Sequence, residues 1–113
     1  MMLDWEAYRQ QLLATIQEIG KTAPDVLHGY RTIGDGAAKV GKLDAKTREL
    51  ISLAVAVTAR CDGCITTHVD AAVRNGATRE EVIEALAVAI QVNAGAALVY
   101  SARTLDAFNA KVP

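Results

Sequence analysis

LDAKTRELISLAVAVTARCDGCITTH, residues 43–68, is the stretch that decides how this chain folds. Asp44 is a good N-cap for a helix over Ala45–Ala59, because a short acidic side chain can take a free amide of the first turn. The run LISLAVAVTA is apolar nearly all round, which suits a helix in the middle of a bundle or an oligomer. A second helix is expected from about Asp62 to Arg74. The connection at Arg60–Asp62 is short, so the two helices should be antiparallel neighbours.

Outward from this hairpin the pattern stays helical. Trp5, Tyr8, Leu12, Ile16 and Ile19 recur at helical spacing over Asp4–Ile19, and Gly20 is expected to end that helix. Another is expected from about Thr22, with Pro24 in its first turn, to about Ile33. Gly34, Gly36 and Gly41 make the stretch to Leu43 the weakest-ordered part, with at most a helical turn at Ala37–Val40. Asn75-Gly76 reads as a helix end with glycine in the left-handed conformation. Thr78 and Glu81 form a capping box that opens a helix to about Val92. Asn93 and Gly95 predict a break before a last helix over roughly Ala94–Asn109. No alternating strand pattern is present. The expected fold is all-α, a small antiparallel bundle of about six helices in a single domain over residues 1–113.

At 113 residues, 51% of them hydrophobic, the chain carries an apolar surplus for its size, and assembly into an obligate oligomer would absorb it. The net charge is −1 and the charges are interspersed, which offers nucleic acid no basic patch. Asp4 and Glu6 stand where a signal peptide would be positive, and the run Ala85–Tyr100 is interrupted by Gln91 and Asn93. No membrane association is expected, and a cytoplasmic location is. In that compartment a lone C-x-x-C points to catalysis or metal binding rather than to a structural staple.

Cys61 and Cys64 are the only cysteines, and His68 is one of two histidines. Cys64 and His68 are four apart and share a helix face, so the imidazole can serve the thiol directly or through one water. Both cysteines sit at a helix start, within reach of its positive dipole end. At ~1.5 Å of rise per residue, Glu49 on one helix and His68 on its antiparallel neighbour differ in height by roughly one turn. Glu49–His68–Cys64 can therefore act as a proton relay. Several plainer readings compete with this one. The cysteines could be small buried residues, and Glu49 could simply favour the dipole of its own helix. His68 could be structural, and Cys61, Cys64 and His68, with Glu49 or water, could hold zinc. His28 reads as a surface or packing residue.

The pattern Glu49-x11-Cys61-x-x-Cys64-x-x-x-His68, preceded by LDAKTRELISLAVA and followed by Asn75-Gly-Ala-Thr78, resembles the carboxymuconolactone decarboxylase-like superfamily. Within it the chain is similar to the alkylhydroperoxidase D (AhpD-like) branch, over about Leu43 to Phe108. The resemblance implies an all-helical fold assembled as a homo-oligomer, a trimer or hexamer. It also implies an antioxidant peroxidase that cycles a redox-active disulfide. Cys64 would be the attacking thiol, Cys61 the resolving one, His68 the relay and Glu49 the base. The substrate would be a hydroperoxide or a disulfide. Electrons would come from a protein donor or pass on to a peroxiredoxin-type partner, and no bound cofactor is needed. The well-studied peroxidases of the branch have a histidine directly before the second cysteine, where Gly63 stands here, and are longer, with two related halves. The alternatives are a lactone decarboxylase of the same superfamily and a non-catalytic zinc or redox-sensing module.

Overall fold

The computed structural model describes residues 1–113. It contains five helices and no strand: α1 (Trp5–Thr22), α2 (Pro24–Val40), α3 (Ala45–Ala59), α4 (Asp62–Arg74) and α5 (Arg79–Asn109). The all-α expectation holds. The count is five rather than about six, because the expected break at Asn93–Gly95 does not occur, and α2 runs past the expected end at Ile33 to Val40.

The hairpin follows the sequence closely. The Asp44 carboxylate accepts from the Thr47 amide at 2.8 Å and opens α3. Arg60, in the left-handed region at φ 56°, closes it. At the end of α4 the Asn75 amide returns to Ala71, and Gly76 turns the chain at φ 82°. The capping box is complete, with the Thr78 amide donating to Glu81 at 2.9 Å and the Glu81 amide donating to the Thr78 hydroxyl at 3.1 Å. Lys46 pairs with Glu81 at 2.7 Å and ties the start of α3 to the start of α5.

Elsewhere glycine and asparagine do something other than what local preference suggests. Gly20 lies inside α1. A Cβ there would meet the Leu27 side chain at 2.7 Å, so this glycine admits α2 to close contact and does not cap α1. The break falls instead at Ala23, held out of the helical region by Pro24. α2 continues through Gly34 and Gly36 and stops only at Gly41, whose φ of 70° supplies the left-handed turn. α5 runs unbroken for 31 residues. At the expected break the Asn93 side-chain amide donates to its own helix at Ala89 O and to the Thr58 hydroxyl on α3, both at 2.8 Å. Gly95 lies between alanines, the best helix formers, and its cost of about 1 kcal/mol does not end the helix.

α3 packs against α4 and α5, while α1 packs against α4 and α2. Leu53, Ala56, Thr66, Ala72 and Ala89 are the buried residues. The Thr66 hydroxyl donates to Trp5 O at 3.1 Å and fixes the start of α1 on α4. The radius of gyration is 18.5 Å and the long axis 60 Å, where a compact chain of this length has a radius of roughly 13 Å. The excess lies in two helix halves. On α2 and on α5 beyond Ala89, every residue from His28 to Val40 and from Ile90 to Asn109 is exposed. Because α5 is continuous, it is long and apolar enough to cross a membrane by length and composition alone, with a mean hydropathy of 1.8 over its most apolar window.

Candidate active site

The α3–α4 turn is built around the cysteine pair. Arg60 is the only non-glycine residue with positive φ. That conformation costs on the order of 1–2 kcal/mol, since Cβ crowds the following carbonyl. It turns the chain so sharply that Cys61, whose amide donates back to Ala56 O at 3.1 Å, already caps α4. The Cys61 sulfur takes the place of the usual cap oxygen and accepts from the Cys64 amide at 3.1 Å. Cys61 and Cys64 form a disulfide across this first turn, with Cα atoms 5.2 Å apart.

His68 lies one turn further along α4, and its Nδ1 is 2.6 Å from Glu49 Oε2 on α3. Both side chains are mostly covered, at 29% and 22% exposure. An ionised carboxylate can only accept, so Nδ1 carries the hydrogen and Nε2 is the nitrogen left for other partners. The register of two antiparallel helices thus joins Glu49 and His68 directly, with no water between them.

Three clefts converge on His68. One, of about 320 Å³, has Cys61, Cys64 and His68 on one side. Tyr8, Leu12 and Ile16 of α1 and Tyr30 of α2 face them. A second, of about 420 Å³, lies between α2 and α3, where Arg48, Glu49 and Ser52 meet His68. A third is an apolar groove of about 260 Å³ along Ile51, Val55 and Ala59 that ends at Cys64 and His68. All four residues expected at the site lie together. With Cys61 and Cys64 joined as a disulfide, no group of three or more His, Cys, Asp or Glu side chains is arranged to hold a metal ion.

The α1 wall was not foreseen. Helical spacing marks Tyr8, Leu12 and Ile16 only as a packing face and does not say what they pack against. Gly63 is the signal that could have pointed to it. A Cβ on Gly63 would come within 2.6 Å of Leu12 Cδ2, so the missing side chain between the cysteines is the notch in which Leu12 sits. His28 is exposed, in line with a surface residue.

Comparison with known proteins gives a consistent family signal. The model of the carboxymuconolactone decarboxylase family matches residues 24–107. An uncharacterized protein of Haemophilus influenzae is 48% identical over 109 residues, covering 96% of both chains. Uncharacterized protein 4 in the cox locus of Paracoccus denitrificans is 45% identical over 92 residues, 81% of this chain and 83% of its own length. The crystal structure of an apo carboxymuconolactone decarboxylase family protein from Legionella pneumophila superposes with a TM-score of 0.74 at 35% identity, covering 93% of this chain and 94% of that one. A Methanobacterium thermoautotrophicum protein of known structure gives a TM-score of 0.68 at 32% identity, over 74% of this chain and 94% of its own.

Proposed function

This chain belongs to the carboxymuconolactone decarboxylase family, and from that premise we propose that it is a thiol-dependent oxidoreductase reducing hydroperoxides through Cys61 and Cys64. The observation that carries the reading is the cysteine pair at the positive end of α4, beside an imidazole already joined to a carboxylate.

In the reduced protein the Cys64 thiolate attacks the terminal oxygen of the hydroperoxide. An S–O bond forms and the O–O bond breaks, leaving a sulfenic acid on Cys64 and an alkoxide. His68 takes the Cys64 thiol proton at Nε2 as the thiolate forms and gives that proton to the alkoxide, which makes the leaving group an alcohol, while the Glu49 carboxylate keeps Nδ1–H and steadies the transient imidazolium. The Cys61 thiol then attacks the sulfenic sulfur, the disulfide forms and water leaves. The sulfur pair loses two electrons and the peroxide gains them. A protein dithiol returns the disulfide to the start by thiol–disulfide exchange. Two groups favour opposite sulfurs. His68 serves Cys64, whereas the Cys64 amide favours negative charge on Cys61. A stabilised Cys61 thiolate is the better leaving group when the donor attacks Cys64, so both preferences serve one cycle.

The test is mass spectrometry of the reduced protein before and after one equivalent of an alkyl hydroperoxide. The expected result is the loss of two hydrogens on the peptide carrying both cysteines, with a trappable sulfenic acid in Cys61→Ser and none in Cys64→Ser. Oxidation of neither cysteine would sink the reading. The family match also favours a lactone decarboxylase, whose activity would survive in the Cys61/Cys64 double mutant.

The unpartnered helix halves belong to the same proposal, with a second copy of this chain as their partner. Ala94, Leu98, Leu105 and Phe108 share one face of α5, and Arg103 and Asp106 lie on the other side with Val92 and Val99. Leu98 is 73% and Phe108 59% exposed. Each such side chain left in water forgoes roughly 1.5–3 kcal/mol.

A further inference from the structure

The family match begins at residue 24, so α1 lies outside it, yet α1 supplies most of the wall facing the sulfurs. We infer that Leu12, seated on Gly63, forms with Tyr8 and Ile16 a specificity wall that receives the organic group of the hydroperoxide. The inference rests on the peroxidase reading above. It adds the residues that separate an organic hydroperoxide from hydrogen peroxide.

Three features of the cleft support it. The first is composition. Across from the sulfurs stand one leucine, one isoleucine and two tyrosine rings, while the polar lining, Asp62, Thr67 and His68, is all on α4 beside the cysteines. Hydrogen peroxide has no apolar surface to lay against the leucine, isoleucine and rings, whereas a branched alkyl or aryl group does. The second is size. At about 320 Å³ the cleft lies at the lower end of small-molecule pockets, so it suits a single ring or a short branched chain. The third is placement. His68 borders the same cleft as the sulfurs, so an organic group held against α1 leaves its peroxide oxygens between Cys64 and the imidazole. The alcohol formed keeps the organic group and so keeps the contact with the wall until it leaves.

Gly63 makes the arrangement adjustable from two sides. It lies in α4 with ordinary helical φ, so alanine is permitted by the backbone. The added methyl would meet the far end of Leu12 at 2.6 Å and push it off its seat. Leu12→Ala removes the same wall from the α1 side.

The experiment compares cumene hydroperoxide with hydrogen peroxide as substrates, with dithiothreitol as reductant, for the wild type, Leu12→Ala and Gly63→Ala. The readout is the ratio of the two kcat/KM values, in which changes common to both substrates, including any in the cysteine couple, cancel. The wild type is expected to prefer cumene hydroperoxide. Each variant should lower that preference roughly tenfold, the discrimination that a small apolar change in a pocket provides. In parallel, binding of cumyl alcohol to the disulfide form is followed by NMR, and both variants should weaken it. An unchanged ratio and unchanged binding in both variants would overturn the wall. Absence of turnover by the wild type, with cumyl alcohol still bound at α1 and released by Leu12→Ala, would overturn the peroxidase reading and leave an apolar site on α1.

Discussion

The α3–α4 hairpin and the outer halves of α2 and α5 are equally helical, yet they are held by different things. In the hairpin each step has a named partner. Asp44 takes an amide, Arg60 turns the chain, Cys61 caps α4, and Glu49 meets His68 across the interface. In the outer halves every residue is exposed, and few of them meet the rest of the chain. Apart from Asn93, which reaches Thr58 on α3, the side chains there make only short-range hydrogen bonds, such as Ser101 to Ala97 O at 2.8 Å. An isolated helix of this length is marginal in water. On the assembly proposed above, a chain that builds one half of itself in detail and leaves the other half bare would move part of its folding free energy to an interface. The difference teaches that the residues of the candidate site are positioned within one chain, while on the proposed assembly the stability is shared with a second copy.

The largest expected effect lies on the chemical side. Cys64→Ser and Cys61→Ser should each reduce multiple turnover of a hydroperoxide to background while leaving the helical circular dichroism intact. If either variant turned over at the wild-type rate, the hairpin would be scaffold only. His68→Ala should slow the first sulfenic acid step by roughly 10²–10⁴-fold, the usual contribution of a positioned acid–base group. Stopped-flow kinetics under single turnover reads that step. Glu49→Gln keeps the shape of the contact but removes the charge that orients Nδ1–H, and its effect on the same step should be smaller than that of His68→Ala. A loss in Glu49→Gln larger than in His68→Ala would show that the carboxylate acts directly and not through the imidazole.

Next in size is the bare side of the molecule. Leu98→Glu with Leu105→Glu puts two charges on the proposed contact face of α5, which makes no contact within its own chain. In a true monomer such surface changes are within about ±0.5 kcal/mol. Here they should dissociate the assembly in sedimentation and speed amide exchange over Leu98–Asn109, while the single-turnover chemistry of the hairpin changes less. A wild type that sediments as a stable monomer at all concentrations would remove the partner. A wild type that enters membranes instead would assign the same face to lipid.

How much could be read from the sequence follows the same division. The hairpin was legible because its determinants lie within four residues of one another, as with Asp44 and Thr47, Cys61 and Cys64, or Thr78 and Glu81. Even Glu49 and His68, nineteen apart, are related by one short connection that fixes the register. The helix ends expected at Gly20 and Val92 were misplaced because their determinants are distant, and the one expected at Ile33 because glycine alone does not stop a helix. Gly20 answers to Leu27 on the next helix, and Asn93 answers to Thr58 on α3. Gly34 and Gly36 have open space around them and nothing near that would require glycine. The α1 wall was missed for a related reason. A periodic apolar face declares that it packs, and only the other surface, here the notch at Gly63, says where.

The smallest expected effect concerns the corner where the packed half of α5 begins. Lys46, through its hydrogen bond, and then the amide and hydroxyl of Thr78 hold the Glu81 carboxyl down to about 2. The unfolded chain releases that proton near the ordinary value of about 4.3. Between these two values the unfolded state binds more protons, so stability rises with pH through that window. The contribution is fully present above the ordinary value and is lost as pH falls through about 2. Asp44, held down first by Thr47, adds a change of the same sign, so melting of the wild type alone would not isolate Glu81. The gap in melting temperature between the wild type and Glu81→Gln does isolate it. The gap should be constant above pH 5, narrow from pH 4 downward and close near pH 2. Thr78→Ala should cost roughly 1 kcal/mol at neutral pH, as loss of a cap does. A gap that stayed open at pH 2 would mean that Glu81 holds the corner by shape and not by charge, and would place α5's anchor with the Asn93–Thr58 contact instead.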